Sequence, residues 1–330
     1  MTRNTFRYML MVTAAAIFLA ACAGQTTTPA TETVTQTEEI GPTGILPMVD
    51  PATYSGDIIM AGSSTVYPLA EAMAIRFDQE GFAGNTTIDS IGSGAGFERF
   101  CDAAESDIAN ASRAIKQEEI DLCRVNGREP IQFRVGTDAL AIVVSSENTF
   151  LTNITLEQLA LIFSTATLWS DVDPTWPAEP IQRFSPGTDS GTFDYFVEVV
   201  LDDDEAPLLN AANLQLSEDD NVLVQGVEGS QYAVGYFGFA YYQENASRLT
   251  ALSIDGIAPN AETAETNEYP LSRPLFIYSD ATIMQQKPQV AAFINFFLTY
   301  VNEEILEVGY FPASEDALNM AMQAWVSAIP

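Results

Sequence analysis

An α/β fold with room for two hydrophobic cores is what this sequence predicts, on three observations. Strand-like runs are followed by hydroxyl- or glycine-rich turns and then by helical periodicity, and the unit recurs along the chain. The length of 330 residues, at 47% hydrophobic content, is enough for two cores. Two apolar runs, 139–144 and 274–278, have the composition and length of buried strands.

At the amino end, Arg3 and Arg7 precede an apolar run from Tyr8 to Ala21 that closes in Leu19-Ala20-Ala21-Cys22. The run is short for a bilayer span, and its flanks are those of a signal peptide over residues 1–21. Its last four residues read as a bacterial lipobox, implying cleavage before Cys22 and a lipid on its sulfur. An ordinary small-residue cleavage site or an uncleaved anchor is the alternative. Thr26 to Glu39 is rich in Thr and Glu and cannot bury enough surface to offset its ordering entropy. Residues 22–55 are therefore expected to form a flexible tether.

The first unit begins with Asp57-Ile58-Ile59-Met60-Ala61 as a strand. Gly62-Ser63-Ser64-Thr65 follows as a turn, and a helix starts near Pro68 with Leu69, Met73 and Phe77 on its buried stripe. The second has Thr87 to Ile91 as strand, Gly92-Ser93-Gly94-Ala95-Gly96 as turn and Phe97 to Ala104 as helix. A short strand, Asp107 to Ala111, ends in Ser112-Arg113. Further on, Ile181 to Phe184 reads as a strand and Ser185 to Thr188 as a turn. Phe193, Phe196, Val197, Val200 and Leu201 then fall at helical spacing behind Asp189-Ser190-Gly191-Thr192.

Taken singly, each of these junctions has a structural explanation: Ser and Thr cap helices, glycines make turns, and an arginine after a strand forms a surface ion pair. Together they place hydroxyl, amide and guanidinium donors at four strand ends. Helix N-termini there add unpaired N–H groups and the positive end of the dipole. That chemistry suits a small oxyanion, since each charge-assisted hydrogen bond contributes about 1.5–3 kcal/mol.

The overall charge opposes such a guest. There are 45 acidic against 13 basic residues, a net charge of −32, and Lys116 and Lys287 are the only lysines. Nucleic acid is a poor partner for such a surface, which is expected to be heavily solvated and suited to salty surroundings. The chain has no histidine, which removes the Ser-His-acid triad, His-ligated zinc and the commonest general base. No Walker loop, dinucleotide fingerprint or paired-Cys metal site is present, so neither a metal nor a cofactor is expected. Beyond Cys22, the cysteines are Cys101 and Cys123. In an oxidising compartment they are expected to form a disulfide closing a loop of about 20 residues, contributing roughly 3 kcal/mol, with two separate buried thiols as the alternative.

Gly62-Ser63-Ser64-Thr65-Val66-Tyr67-Pro68-Leu69, Gly92 to Phe97, Asp107 to Arg113 and Gly187 to Phe196 resemble motifs of the phosphate-binding lipoproteins of bacterial phosphate ABC importers. So do Thr155 to Leu159 with Trp169 to Val172, Gly235 to Tyr241, and Tyr269 to Leu275. The resemblance runs from about residue 57 to the end. It implies a type II periplasmic-binding-protein fold: two α/β lobes joined by two crossover strands, with one inorganic phosphate enclosed between them. The runs 139–144 and 274–278 suit the crossovers. Lobe 1 is then 56–137 plus 275–330, and lobe 2 is 138–274.

The same resemblance implies a function in capture and delivery rather than catalysis. The partners would be inorganic phosphate and the permease subunits of the importer, the chain acting as a monomer held outside the cytoplasm by lipid on Cys22. Binding of another oxyanion (phosphonate, sulfate, molybdate), or a role as a phosphate sensor or adhesin, is the alternative. Residue by residue, the motifs imply phosphate contacts from Ser63, Ser64 and Thr65, from Ser93 and Gly94, from Ser112 and Arg113, and from Ser190, Gly191 and Thr192 of the opposite lobe. Thr188 is a further candidate. Arg183 lies further upstream than the arginine some members carry before Ser-Gly-Thr, and is either a ligand or structural. Where some members have an Asp that accepts the proton of phosphate and so rejects sulfate, this chain has Arg113. Asp189 is the candidate for that acceptor, the alternative being a cap on the following helix.

Overall fold

The computed structural model describes residues 41–188 and 190–329. The signal peptide, Cys22, the tether as far as residue 40 and Asp189 lie outside the described residues. Among those described, no helix is long and apolar enough to cross a membrane.

The first half of the chain runs β1 (Asp57–Gly62), α1 (Tyr67–Gln79), β2 (Asn85–Ser90), α2 (Ser93–Cys101), β3 (Ile108–Ala111), α3 (Gln117–Val125) and the long β4 (Ile131–Ser145). Then come β5 (Asn153–Ile154), α4 (Leu156–Ile162), α5 (Trp169–Val172), β6 (Gln182–Pro186), α6 (Gly191–Val200), α7 (Ala206–Leu209), β7 (Leu214–Ser217) and α8 (Asp220–Glu228). The chain continues through β8 (Ala233–Gly238), α9 (Phe239–Asn245), β9 (Leu249–Ala251), β10 (Ser253–Ile254) and α10 (Ala261–Glu265). It ends with β11 (Ser272–Ser279), α11 (Ala281–Gln286), α12 (Pro288–Glu304) and α13 (Glu315–Ala328).

The main sheet has strand order β2-β1-β3-β11-β4-β8-β6-β7, with β9 also on β4. In its first part β1 is parallel to β2 and β3, as strand–helix–strand crossovers require. In its last part β6 is parallel to β7 and β8. Between these parallel sets lie β11 and β4, antiparallel to each other with Arg273 opposite Asp138 and Ser272 opposite Ala139. The far half of β4, from Leu140, pairs instead with β8 and β9. A 15-residue strand is long because it serves both halves of the sheet in turn.

Two hydrophobic cores sit on either side of this passage. One gathers Ile58, Met60, Leu69, Phe77, Val135, Leu275 and the faces of α12 and α13. The other gathers Ala139 to Val144, Trp169, Phe184, Phe196, Tyr236 and Leu271. Along β4 the change falls between Val135 and Ala139; along β11 it falls between Leu271 and Leu275. A smaller cluster of Phe97, Phe100, Cys101, Cys123 and Tyr278 covers the opposite face of the first sheet. Within it Cys101 and Cys123 are disulfide-bonded, tying α2 to α3.

Three features depart from the sequence expectations. Residues 41–55, placed in the tether, pack onto the first lobe: Leu46 is fully buried, Pro51 is buried, and Asn295 Nδ2 donates to the Pro47 carbonyl at 3.1 Å. Their apolar residues find the groove beside α12, which composition alone did not reveal. Phe311, assigned to lobe 1, lies in the second core with its ring tilted against that of Phe239, because Phe311 bridges to Thr137 of β4. Finally, α2 begins at Ser93, four residues ahead of the expected Phe97.

The early start of α2 follows from close packing. Gly62 has φ +143°, and a Cβ there would lie 2.0 Å from the Asn110 carbonyl oxygen. A Cβ on Gly96 would lie 2.5 Å from Gly62 Cα. The glycines let α2 rest directly on the end of β1, so Gly94 and Gly96 belong to a helix pressed against a strand rather than to a turn.

Candidate functional site

A cavity of 690 Å³ lies between the lobes and is lined by residues from six chain segments. From the first lobe come Ser63, Ser64 and Thr65 ahead of α1, Gly92, Ser93 and Gly94 at the start of α2, and Ser112 and Arg113 after β3. The second lobe supplies α6, through Phe193, Asp194, Tyr195, Val197 and Glu198, together with Asp203 and Glu205. The crossover strand β11 supplies Arg273 and Pro274. The site thus sits beyond the carboxyl ends of parallel strands, where open α/β sheets receive ligands.

Each lobe 1 junction is held by local bonds that leave donors at the cavity. Ser63 N–H donates to the Asn110 carbonyl at 2.9 Å, fixing the end of β1 to β3. Tyr310 Oη donates to the Thr65 carbonyl at 2.8 Å and pins the loop from behind. Ser112 N–H donates to Ser93 Oγ at 3.1 Å, and the two hydroxyl oxygens are 3.3 Å apart, so the second and third motifs form one cluster. Ser93 and Gly94 stand in the first turn of α2, whose N–H groups have no partners within the helix.

Arg113 is oriented by a two-pronged bond to Glu119, with Nη1 to Oε2 at 2.9 Å and Nη2 to Oε1 at 2.7 Å. It also lies over the Phe97 ring, with Cζ 5.4 Å from the centroid. The hydrogen bond to Glu119 raises the Arg113 pKa further. Burial works to raise that of Glu119, but hydrogen bonds from Arg113 and the Lys116 N–H outweigh it and leave the carboxyl below its ordinary range. The guanidinium is therefore a fixed cation at the cavity wall.

Ser190, Gly191 and Thr192 do not line this cavity. They line an adjoining one of 400 Å³, which also receives Ser64, Tyr67, Ser90, Glu218, Asp220 and Tyr241. A Cβ on Gly191 would lie 3.2 Å from the Ser64 carbonyl and Thr65 Cα, so the N-terminus of α6 abuts the first-lobe loop. Ser64 Oγ donates to Asp194 Oδ2 at 3.2 Å across the same seam. Ser64 is the residue common to both cavities. Ser190 caps α6, its side chain accepting from Thr192 N–H at 3.2 Å.

Arg183 lines neither cavity. It is fully buried in β6, where Nε donates to the Ile162 carbonyl and the terminal nitrogens to those of Ala166 and Ala212. Burial lowers its pKa to about 10. It ties the end of α4 and the loop after it to the loop before β7, because the strand turns that side chain inward, away from the cleft. Thr188 is exposed and lines neither cavity. Several cavity residues were not expected as site residues from the sequence, among them Asp194 on the first turn of α6, Glu198, Asp203, Glu205 and Arg273. Arg273 belongs to the Tyr269 to Leu275 run, which the sequence marked as a late strand without a site role, and the pairing of β11 with β4 brings it to the cleft. Among the described residues no group of acidic or cysteine side chains is placed to hold a metal ion.

The chain matches a PBP superfamily domain over residues 3–300. It is 39% identical over 296 residues to protein SphX of Synechocystis sp., covering 84% of this chain and 87% of that one. It is 31% identical over 261 residues to the phosphate-binding protein PstS of Staphylococcus saprophyticus, covering 77% and 80%. Among solved structures, a possible phosphate binding protein of Planctomyces limnophilus shares 36% identity with a TM-score of 0.77, covering 84% of this chain and 100% of that one.

Proposed function

The chain belongs to the PBP superfamily, among relatives that include the phosphate-binding protein PstS, and on that premise we propose that it binds inorganic phosphate between its lobes and delivers it to an ABC permease. One observation carries this reading: hydroxyl, amide and guanidinium donors from three separate strand-to-helix junctions meet on one interlobe cavity. A tetrahedral dianion can accept from all of them at once, and hydrogen bonds from a charged guanidinium are the strongest of the set. Ligand is expected to favour the closed arrangement, in which α6 and the crossover strand β11 cover the first-lobe donors.

The role is binding rather than catalysis, in keeping with relatives that are substrate-binding proteins. The protein acts outside the cytoplasm, as a monomer tethered by lipid on Cys22, and presents its closed form to the permease. Asp189 accepts the proton of hydrogen phosphate, which sulfate lacks near neutral pH. Calorimetric titration of the chain lacking residues 1–22 against phosphate, sulfate and molybdate tests the reading. Phosphate is expected to bind orders of magnitude more tightly than the others, and equal or stronger binding of sulfate or molybdate overturns it. Asp189→Asn is expected to admit sulfate; unchanged sulfate exclusion removes Asp189 from that role.

A further inference from the structure

Arg273 is the cavity-lining cation to which the sequence motifs assigned no phosphate contact. It stands on β11, directly opposite Asp138 of β4, on the two strands that pass between the lobes. Its Nε donates to Asp138 Oδ2 at 3.1 Å and its Nη2 to the Gly191 carbonyl at 3.2 Å. Its Cζ lies 3.5 Å from the centroid of the Tyr195 ring. The side chain is only 8% exposed and that of Asp138 1%, whereas the nearest approach of Nη1 to a carboxylate is 3.7 Å, to the exposed Glu198. The guanidinium is thus clamped along one edge and one face, with donors remaining on the side of the cavity.

The contrast with Arg183 is informative. A buried arginine that serves only the fold spends its donors on backbone carbonyls, as Arg183 does on those of Ile162, Ala166 and Ala212. Arg273 spends one on a carboxylate and one on a carbonyl. The same cavity carries Asp194, Glu198, Asp203 and Glu205, whose negative charge opposes an anion. A second fixed cation across from Arg113 offsets that repulsion.

We propose that Arg273 contacts the bound phosphate directly, and that Asp138 is the positioning residue that holds its fork toward the cavity. This deepens the phosphate-binding reading and rests on it. Arg113 on Glu119 and Arg273 on Asp138 then form two carboxylate-oriented guanidiniums, one on the first lobe and one on a crossover strand. Because Arg273 also grips the Gly191 carbonyl, its contact with the anion is coupled to the position of α6 and so to the closed arrangement of the lobes.

The test is calorimetric phosphate titration of the full chain in detergent, unaltered and as Arg273→Met, Arg273→Lys, Asp138→Asn and the Arg273→Met/Asp138→Asn double variant. Arg273→Met is expected to weaken phosphate about 50-fold and Arg273→Lys about 10-fold, since lysine keeps the charge and loses the fork. Asp138→Asn is expected to weaken it about 5-fold in the unaltered background and not at all in Arg273→Met. An equal loss in both backgrounds overturns the positioning role of Asp138. A folded Arg273→Met that binds within threefold of the unaltered chain overturns the contact. If that variant does not fold, a crystal structure of the unaltered chain with phosphate decides: an Arg273 nitrogen within about 3.2 Å of a phosphate oxygen supports the contact, and a greater separation overturns it. An unaltered chain that fails to bind phosphate removes the underlying reading as well, and the first titration alone identifies that case.

Discussion

The two walls of the cleft are built differently. The first-lobe wall is a set of donors from three junctions: Ser63 to Thr65, Ser93 with Ser112, and Arg113 locked on Glu119. Its backbone is so tightly packed that Gly62 and Gly96 leave no space for a Cβ. The second-lobe wall is one helix, α6, with Asp194 and Glu198 on the cavity and Ser190 spent on its own cap. In a chain of net charge −32 the difference is instructive. The first wall presents fixed donors suited to an anion, and the second is an acidic cover beside which the crossover strand places a cation.

That comparison can be broken at its most rigid point. Gly62→Ala is expected to destabilise the protein by about 3 kcal/mol, because φ of +143° and a carbonyl 2.0 Å from the added carbon are both prohibitive. Gly191→Ala, at the seam between the walls, meets atoms at 3.2 Å and is expected to cost about 1 kcal/mol. Urea denaturation of both variants distinguishes the two, and equal losses would mean that the first wall is no more constrained than the seam.

The next effect is on affinity. Arg113→Gln is expected to weaken phosphate binding about 100-fold, the loss of two charge-assisted bonds. Ser190→Ala, on the second wall, is expected to weaken it by about 5-fold or less, chiefly through its cap. Calorimetry on both sharpens the contrast, and a larger loss from Ser190→Ala would invert it.

A smaller effect is expected in stability against pH. Burial, with Asp219 and Glu218 adding to it, raises the Asp220 carboxyl to about 6. The folded state therefore binds the proton more tightly than the unfolded one, and stability is lost as pH rises from about 4 to about 6. Asp220→Asn removes that cost. It is expected to raise the melting temperature by about 4 °C at pH 7.5 and to leave it unchanged near pH 3.5. A rise of the same size at both pH values would show that the charge is not responsible.

Smallest is the effect of salt. Arg76, Arg99, Arg113, Arg124, Arg134, Arg248, Arg273 and Lys287 are all paired with carboxylates, so the surrounding field is set by unpaired acids. Phosphate association is expected to quicken about twofold between 20 and 300 mM salt as that field is screened. Stopped-flow measurement of a rate that falls with salt would mean that the guanidiniums, not the acids, govern the approach.

Much of this molecule was legible without coordinates, because it is written in local chemistry. Strand, hydroxyl-rich turn and apolar helical stripe identify themselves within a dozen residues, so β1–α1, β2–α2 and the junction after β3 were found with their donors. The disulfide partners Cys101 and Cys123 followed from being the two cysteines beyond Cys22. What sequence could not rank was the two arginines. Arg183 and Arg273 each lie on a strand, and nothing local says which one faces the cleft. The register of β11 against β4 and the inward face of β6 decide that, since strand pairing is set by contacts far apart in the chain. The same holds for Leu46 and Phe311, single apolar residues whose burial depends on grooves formed by distant helices. Local pattern determined the elements and most of the donors; only the tertiary pairing of distant strands decided which cation stands at the cavity.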